Sequence, residues 1–143
     1  MPTSRTSLTD AGRAFLANRN FASVATVDED GSPRQTVIWY RHEDDDRILL
    51  NGRTPRRWCA NLARDRRVSI AVTDGADGYR WLGLTGVVEW ISDDVEQARE
   101  DIVALANRYH PEGVREELVA AFRSQPRISY LVRITAVHDH LDD

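Results

Sequence analysis

Phe21-Ala22-Ser23-Val24-Ala25-Thr26-Val27-Asp28-Glu29-Asp30-Gly31-Ser32-Pro33 reads as one arm and the tip of a β-hairpin. Its first seven residues are, apart from Ser23, apolar or β-branched, as a half-buried strand requires, and the acidic, Gly- and Pro-containing run that follows is turn chemistry. Gln35 to Tyr40 is the returning arm. Glu43 to Asp46 predicts a second turn, ahead of a strand from Arg47 to Asn51. Val68 to Thr73, Tyr79 to Ile91 and Ile128 to Ala136 complete six strands. Gly83 and Gly86 lie inside the fifth, where glycine signals a bend, a bulge or a close approach. Helical spacing appears in four places: Leu8 to Leu16 with Ser7 or Thr9 as cap, Pro55 to Asp65, Asp93 to Tyr109, and Val114 to Phe122. Short strands joined first by hairpins, then with helices between them, predict a mainly β fold with α decoration: a six-stranded antiparallel barrel, one domain over residues 1–143.

Composition excludes several classes. The chain has 143 residues, net charge −4 and one cysteine. One cysteine excludes an internal disulfide and a thiolate metal cluster. No apolar run approaches the ~18 residues of a membrane span, and the first twenty residues lack a signal-peptide pattern, which predicts a cytoplasmic protein with no membrane partner. All 19 basic residues are arginine, so every cationic contact is a planar fork rather than a point charge.

Asn51-Gly52-Arg53-Thr54-Pro55-Arg56-Arg57-Trp58 carries the chemistry. Thr54 reads as an N-cap and Pro55 as the first helical residue, which puts Arg56 and Arg57 in the first turn, against the positive end of the helix dipole. A bound anion reverses that penalty, since helix starts and guanidinium forks both hold phosphate. Upstream, Thr36, Val37, Ile38 and Trp39 form a strand against which a flat apolar ring can lie; the competing reading is that the two faces are plain core and surface. Tyr79 and Trp81 share a strand face by their spacing, and one of them is read as a further pocket wall. The remaining candidates are weaker. His42 and His110 are read in turns and His138 and His140 in an extended tail near Asp139, Asp142 and Asp143; none has zinc-ligand spacing, so no metal is expected. Asp28 to Gly31 lacks the downstream ligands of a calcium loop. Cys59 reads as buried, although Arg56 nearby would lower its pKa. The basic run Arg53 to Arg67 permits a nucleic-acid interface, but the acidic chain has no recognised binding signature and this stays a minor alternative.

The opening hairpin, the junction Asn61-Leu62-Ala63-Arg64-Asp65-Arg66-Arg67-Val68-Ser69-Ile70, and Gly83 to Gly86 after Trp81 together resemble the pyridoxamine-phosphate-oxidase-like split barrels, over Leu8 to His138. The resemblance implies a homodimer with two sites at its interface. It implies FMN or the deazaflavin coenzyme F-420, held between Thr36–Trp39 and Asn51–Arg57, with Arg53, Arg56 and Arg57 on its phosphate, Asn51 supporting the ring, and Tyr79 and Trp81 supplied by the partner subunit. Trp58 stands where many relatives have lysine, and Arg66 where many have proline. The C-terminal arginine segment with which pyridoxamine phosphate oxidases hold their substrate is missing, so the resemblance points to the small F-420-using branch. An arginine track from Arg53 towards Arg64 and Arg67 suits that coenzyme's acidic tail.

The expected function is hydride transfer between the bound coenzyme and a small conjugated molecule, with Tyr79 as the only candidate proton donor. The alternative is a non-catalytic flavin or haem sensor, although a haem would need an axial histidine that the expected pocket does not supply.

Overall fold

The computed structural model describes residues 3–44 and 46–142. Asp45 of the second turn and Asp143 of the tail lie outside the described residues. The elements run β1 (Thr3–Arg5), α1 (Asp10–Leu16), β2 (Ala22–Val27), β3 (Pro33–Ile38), β4 (Arg41–Asp44), β5 (Arg47–Arg53), α2 (Arg57–Arg64), β6 (Arg67–Thr73), β7 (Trp81–Ile91), α3 (Val95–Tyr109), α4 (Glu116–Ser124) and β8 (Arg127–His140). All strand pairs are antiparallel, in the order β3-β2-β6-β7-β8-β5-β4, with β1 on β8. The six expected strands are present and two short ones join them.

The differences have local causes. The acidic stretch Arg41–Asp44 is a strand because it pairs with β5 across a bulge between His42 and Asp44, so His42 sits on a strand rather than in a turn. His138 and His140 extend β8, where they pair with Gly83 and Trp81 of β7, and are not a tail. At the other end of the chain Thr9 is the cap of α1, its hydroxyl accepting from the Gly12 N–H at 3.0 Å. Gly31 has φ +90°, which only glycine adopts cheaply and which the tip of the β2–β3 hairpin requires.

Gly86 marks a bulge between β7 and β8, and a Cβ there would sit 2.6 Å from Val132 and 2.8 Å from the Arg133 carbonyl. A side chain would push the two strands apart at the point where the sheet bends.

Two separate cores form. The larger one lies against the sheet and takes in Leu16, Val24, Tyr40, Leu50, Leu62 and Tyr130. The smaller joins α3 to α4 through Ile102, Leu105, Ala106 and Phe122, with Trp39 packed against it. The cavity described below opens along the seam between them.

Helix α2 is pinned to the β2–β3 hairpin. Buried Asn61 donates to Asp28 Oδ1 at 2.8 Å and to Thr26 Oγ1 at 3.0 Å, and Arg64 donates to the Val27 carbonyl. Asp28 also accepts from Arg34 Nε at 2.9 and 3.1 Å. These hydrogen bonds, from Arg34 first and then Asn61, hold the Asp28 carboxyl below its usual range. A depressed carboxylate pKa contributes stability that is present above the unfolded value and lost as pH falls through the folded one. We therefore expect Asp28→Asn to melt lower than the native chain at neutral pH, and the two melting temperatures to converge as pH falls below about 4. Parallel curves from pH 7 to 3 would exclude this role.

Candidate functional site

A cavity of ≈ 430 Å³ is lined by Phe21, Val37, Ile38, Trp39, Asn51, Arg56, Ile102, Leu105, Phe122 and Arg127. The size and the mostly apolar walls fit a small-molecule pocket. Its aromatic side is fixed by a stack: Tyr109 lies between Phe21, at 5.7 Å and 6°, and Trp39, at 5.2 Å and 11°. Phe122 meets the Trp39 ring edge-on at 6.4 Å. The Tyr109 hydroxyl donates to the Asn20 carbonyl at 2.7 Å and holds the stack to the backbone.

The polar side comes from β5, α2 and β8. Asn51 is buried, and its Nδ2 donates to the Ala98 carbonyl and to Ser129 Oγ, both at 2.9 Å. Ser129 in turn donates to Asp101 Oδ2 at 2.7 Å. Asn51 thus ties β5 to α3 and β8 and faces the cavity with what remains. Arg127, the first residue of β8, pairs across the sheet with Arg53. Its guanidinium lies 4.9 Å above the Phe122 ring and donates to Gln125 Oε1 from Nε at 2.9 Å and to Asn51 Oδ1 from Nη1 at 3.4 Å. Burial first, then the charges of Arg56 and Arg53, push its pKa down to about 10.

Of the residues expected from sequence, the structure brings Val37, Ile38, Trp39, Asn51 and Arg56 to one cavity, with Arg53 beside it. Several others fall elsewhere. Thr36 faces Val24 across the β2–β3 ladder and is not among the lining residues. Thr54 is not the cap of α2. A turn closed by the Arg56 N–H on the Arg53 carbonyl, at 3.0 Å, takes up Thr54 and Pro55, whose peptide is cis. The helix therefore starts at Arg57, with Arg56 in the cap position and no side-chain cap bond. Thr54 instead donates its N–H to the Pro126 carbonyl at 3.1 Å. Arg57 leans to the other side of α2, 3.9 Å from Asp28 Oδ2, where it lines a different cleft with Asp28 and Arg64. Gly52 is needed for packing: a Cβ on it would meet Cys59 Sγ at 2.3 Å. Burial pushes the Cys59 thiol up, against the smaller pull of Arg56.

Tyr79 is 85 % exposed in the turn before β7, and Trp81 stacks on His140 at 3.9 Å. Neither lines the cavity of its own chain. The arginine track also breaks up: Arg64 binds Asn61 and the Val27 carbonyl, Arg66 the Val88 carbonyl, and Arg67 Asp65. Of these three exposed side chains only Arg67 is paired with a carboxylate among the described residues. Among the described residues no three His, Cys, Asp or Glu side chains gather as a metal site. No helix there is long and apolar enough to cross a membrane.

A fold of this topology has counterparts among known proteins. Residues 8–140 match the family model described as pyridoxamine 5'-phosphate oxidase, and the chain belongs to that family. It is 28% identical over 112 residues, covering 76% of this chain and 77% of the relative, to an F420H(2)-dependent biliverdin reductase of Mycobacterium tuberculosis. It is 25% identical over 118 residues to a pyridoxine/pyridoxamine 5'-phosphate oxidase of Photorhabdus laumondii, covering 82% of this chain but spanning only 49% of that relative's length. A solved structure named F420 reductase superposes with TM-score 0.77 at 26% identity, over 91% of this chain and 98% of the other.

Proposed function

We propose that the protein is a flavin- or deazaflavin-dependent oxidoreductase of small conjugated molecules, with F-420 preferred to FMN. The observation that carries this reading is the cavity itself: apolar walls on one side and, on the other, guanidinium groups with no carboxylate partner among the described residues. That is the chemistry of a flat ring bearing an anionic group. The preference for F-420 is supported by the names of the deazaflavin-dependent relatives.

When bound, such a coenzyme supplies the two-electron chemistry, a hydride given or taken at its ring. The chain's own residues position and shield. Val37, Ile38 and Trp39 give the ring an apolar face, Phe122 and Leu105 keep water from it, and Asn51, both of whose amide hydrogens are donated to Ala98 and Ser129, offers only its oxygen. Arg56 sits where the anionic group enters and Arg53 strengthens the positive field, while Arg57 is turned to Asp28 on the other side of α2. We further propose that the sheet curls as a split barrel and that two copies associate, so that Tyr79 and Trp81 serve the neighbouring subunit's site. Sedimentation of the purified protein as a monomer at micromolar concentration would count against that dimer.

Titration with F-420 and with FMN, followed by fluorescence, tests the coenzyme reading; tight FMN binding with no F-420 binding would reverse the preference. We expect the double variant Arg56→Ala/Arg57→Ala to lose more than about 1 kcal/mol of coenzyme affinity, as charge-assisted contacts disappear. The loss is expected from Arg56, and unchanged affinity would remove it from the site. The sensor alternative is decided by turnover: reduced coenzyme bound to the protein should be consumed by added quinones, enones or tetrapyrroles, and a bound coenzyme inert to all of them would favour storage or sensing.

A further inference from the structure

The half-buried Arg127 has no counterpart in the expectations drawn from the sequence. It lies directly across the sheet from Arg53, and like charges in facing positions repel. Arg56 adds a third positive charge from the start of α2. The chain has 23 acidic residues, yet among the described residues none forms an ion pair with Arg53, Arg56 or Arg127, while thirteen pairs elsewhere occupy other arginines and His110. The partners Arg127 does have are neutral. Gln125 and Asn51 orient the guanidinium and Phe122 supports its flat face. None of them cancels the charge.

We propose that Arg127 is the inner anion-binding residue of the cavity, taking with Arg53 and Arg56 a phosphate or carboxylate carried on a flat apolar ligand. Arg57 is not a member of this cradle. The placement makes physical sense of the lining: a ligand whose ring lies among Trp39, Leu105 and Phe122 brings its anionic group to the one edge of the cavity where cations gather. Guanidinium forks match both phosphate and carboxylate, and a partly desolvated fork holds either more strongly than an exposed one. The same site geometry serves the coenzyme's phosphate or a substrate's carboxylate, and the inference shares with the preceding reading only the premise that this cavity takes a ring ligand.

The test compares the native protein with Arg127→Gln and Arg57→Gln. Four probes are titrated: FMN, riboflavin as its phosphate-free analogue, the anionic dye 1-anilinonaphthalene-8-sulfonate, and its neutral analogue N-phenyl-1-naphthylamine. Biliverdin, a flat dicarboxylate, is then titrated into coenzyme-loaded protein. We expect Arg127→Gln to weaken at least one anionic ligand by about fivefold or more, the neutral analogues by less, and Arg57→Gln to do neither. Loss confined to FMN assigns the anion to the coenzyme; loss confined to biliverdin assigns it to the substrate; both support the proposal. Effects below about fivefold on every anionic ligand, or equal losses for charged and neutral analogues, would overturn it. Failure of the native protein to bind either coenzyme would end the coenzyme reading alone, and the dye pair would still decide the anion site. Should Arg127→Gln not fold, labelling of the native protein with phenylglyoxal replaces it: Arg127 protected by FMN or the anionic dye supports the cradle, and equal labelling with and without them refutes it.

Discussion

Gly52→Ala is expected to destabilise the protein by about 3 kcal/mol, at the upper end of what overpacking costs. The added methyl would lie 2.3 Å from Cys59 Sγ and 2.6 and 2.9 Å from two carbons of the Trp58 ring. Neither neighbour can retreat. Cys59 is 2 % and Trp58 4 % exposed, and Trp58 packs on Tyr130 with ring centres 5.6 Å apart. The strand and α2 must therefore separate. Since Asn51 and Arg53 flank Gly52, that separation also spreads the polar side of the cavity. A melting temperature lower by roughly 10 °C is the expected reading for a chain of this size, with coenzyme affinity falling in parallel. The double variant Gly52→Ala/Cys59→Ala should recover part of the loss, because it removes the closest clash and leaves the two ring contacts. A single variant that melts with the native protein would mean that β5 and α2 are not held this closely.

Arg108→Ala comes next, with an expected loss of about 2–3 kcal/mol. Its guanidinium donates to the carbonyls of Tyr40, Ala17, Leu16 and Asn18 at 3.1, 3.3, 3.2 and 3.0 Å. Those of Leu16 and Ala17 belong to the C-terminal end of α1, whose negative dipole end favours a cation. The same group lies 5.2 Å from the Tyr40 ring centre and 5.1 Å from that of Tyr109, which adds a cation–π contribution. One side chain from α3 thus caps α1 and supports the ring on which Trp39 stacks. Lysine offers a compact charge in place of a fork, so Arg108→Lys should recover less than half of the loss. Urea denaturation measures both, and an Arg108→Ala midpoint equal to the native one would show the fork to be dispensable.

The legibility of the chain followed the range of the interactions. Local signals were sufficient for α1 and for the hairpin with Gly31 at its tip, and narrowed the α1 cap to Ser7 or Thr9 and Gly86 to a bend, a bulge or a close approach, which the structure decides as Thr9 and a bulge. They misled at Thr54-Pro55, where the sequence matches a helix start but a tight turn and the bond from Thr54 to Pro126, seventy-two residues away, take the same residues. They misled also at Glu43 and Asp44, where acidic composition suggests a turn while pairing with β5 makes a strand. Of the apolar lining only Val37, Ile38 and Trp39 were readable, because they are consecutive; Phe21, Ile102, Leu105 and Phe122 reach the cavity through tertiary packing that no local signal records. Arg127 was not: only the β5–β8 register sets it opposite Arg53, and nothing in the residues around it records that partner. Arg57 shows the converse, a neighbour of Arg56 in sequence that leans the other way because Asp28 waits on the far side of the helix.

The seam between the two cores has a consequence for how such a molecule diversifies. One wall of the cavity belongs to the sheet, whose packing closes without the other wall; the opposite wall, Ile102, Leu105 and Phe122, belongs to the paired helices. Substitutions on the helical side can reshape which molecules are admitted while the strands that carry the guanidinium groups keep their register. The architecture separates a fixed chassis from an exchangeable cover, and new selectivity can be acquired by altering the cover alone.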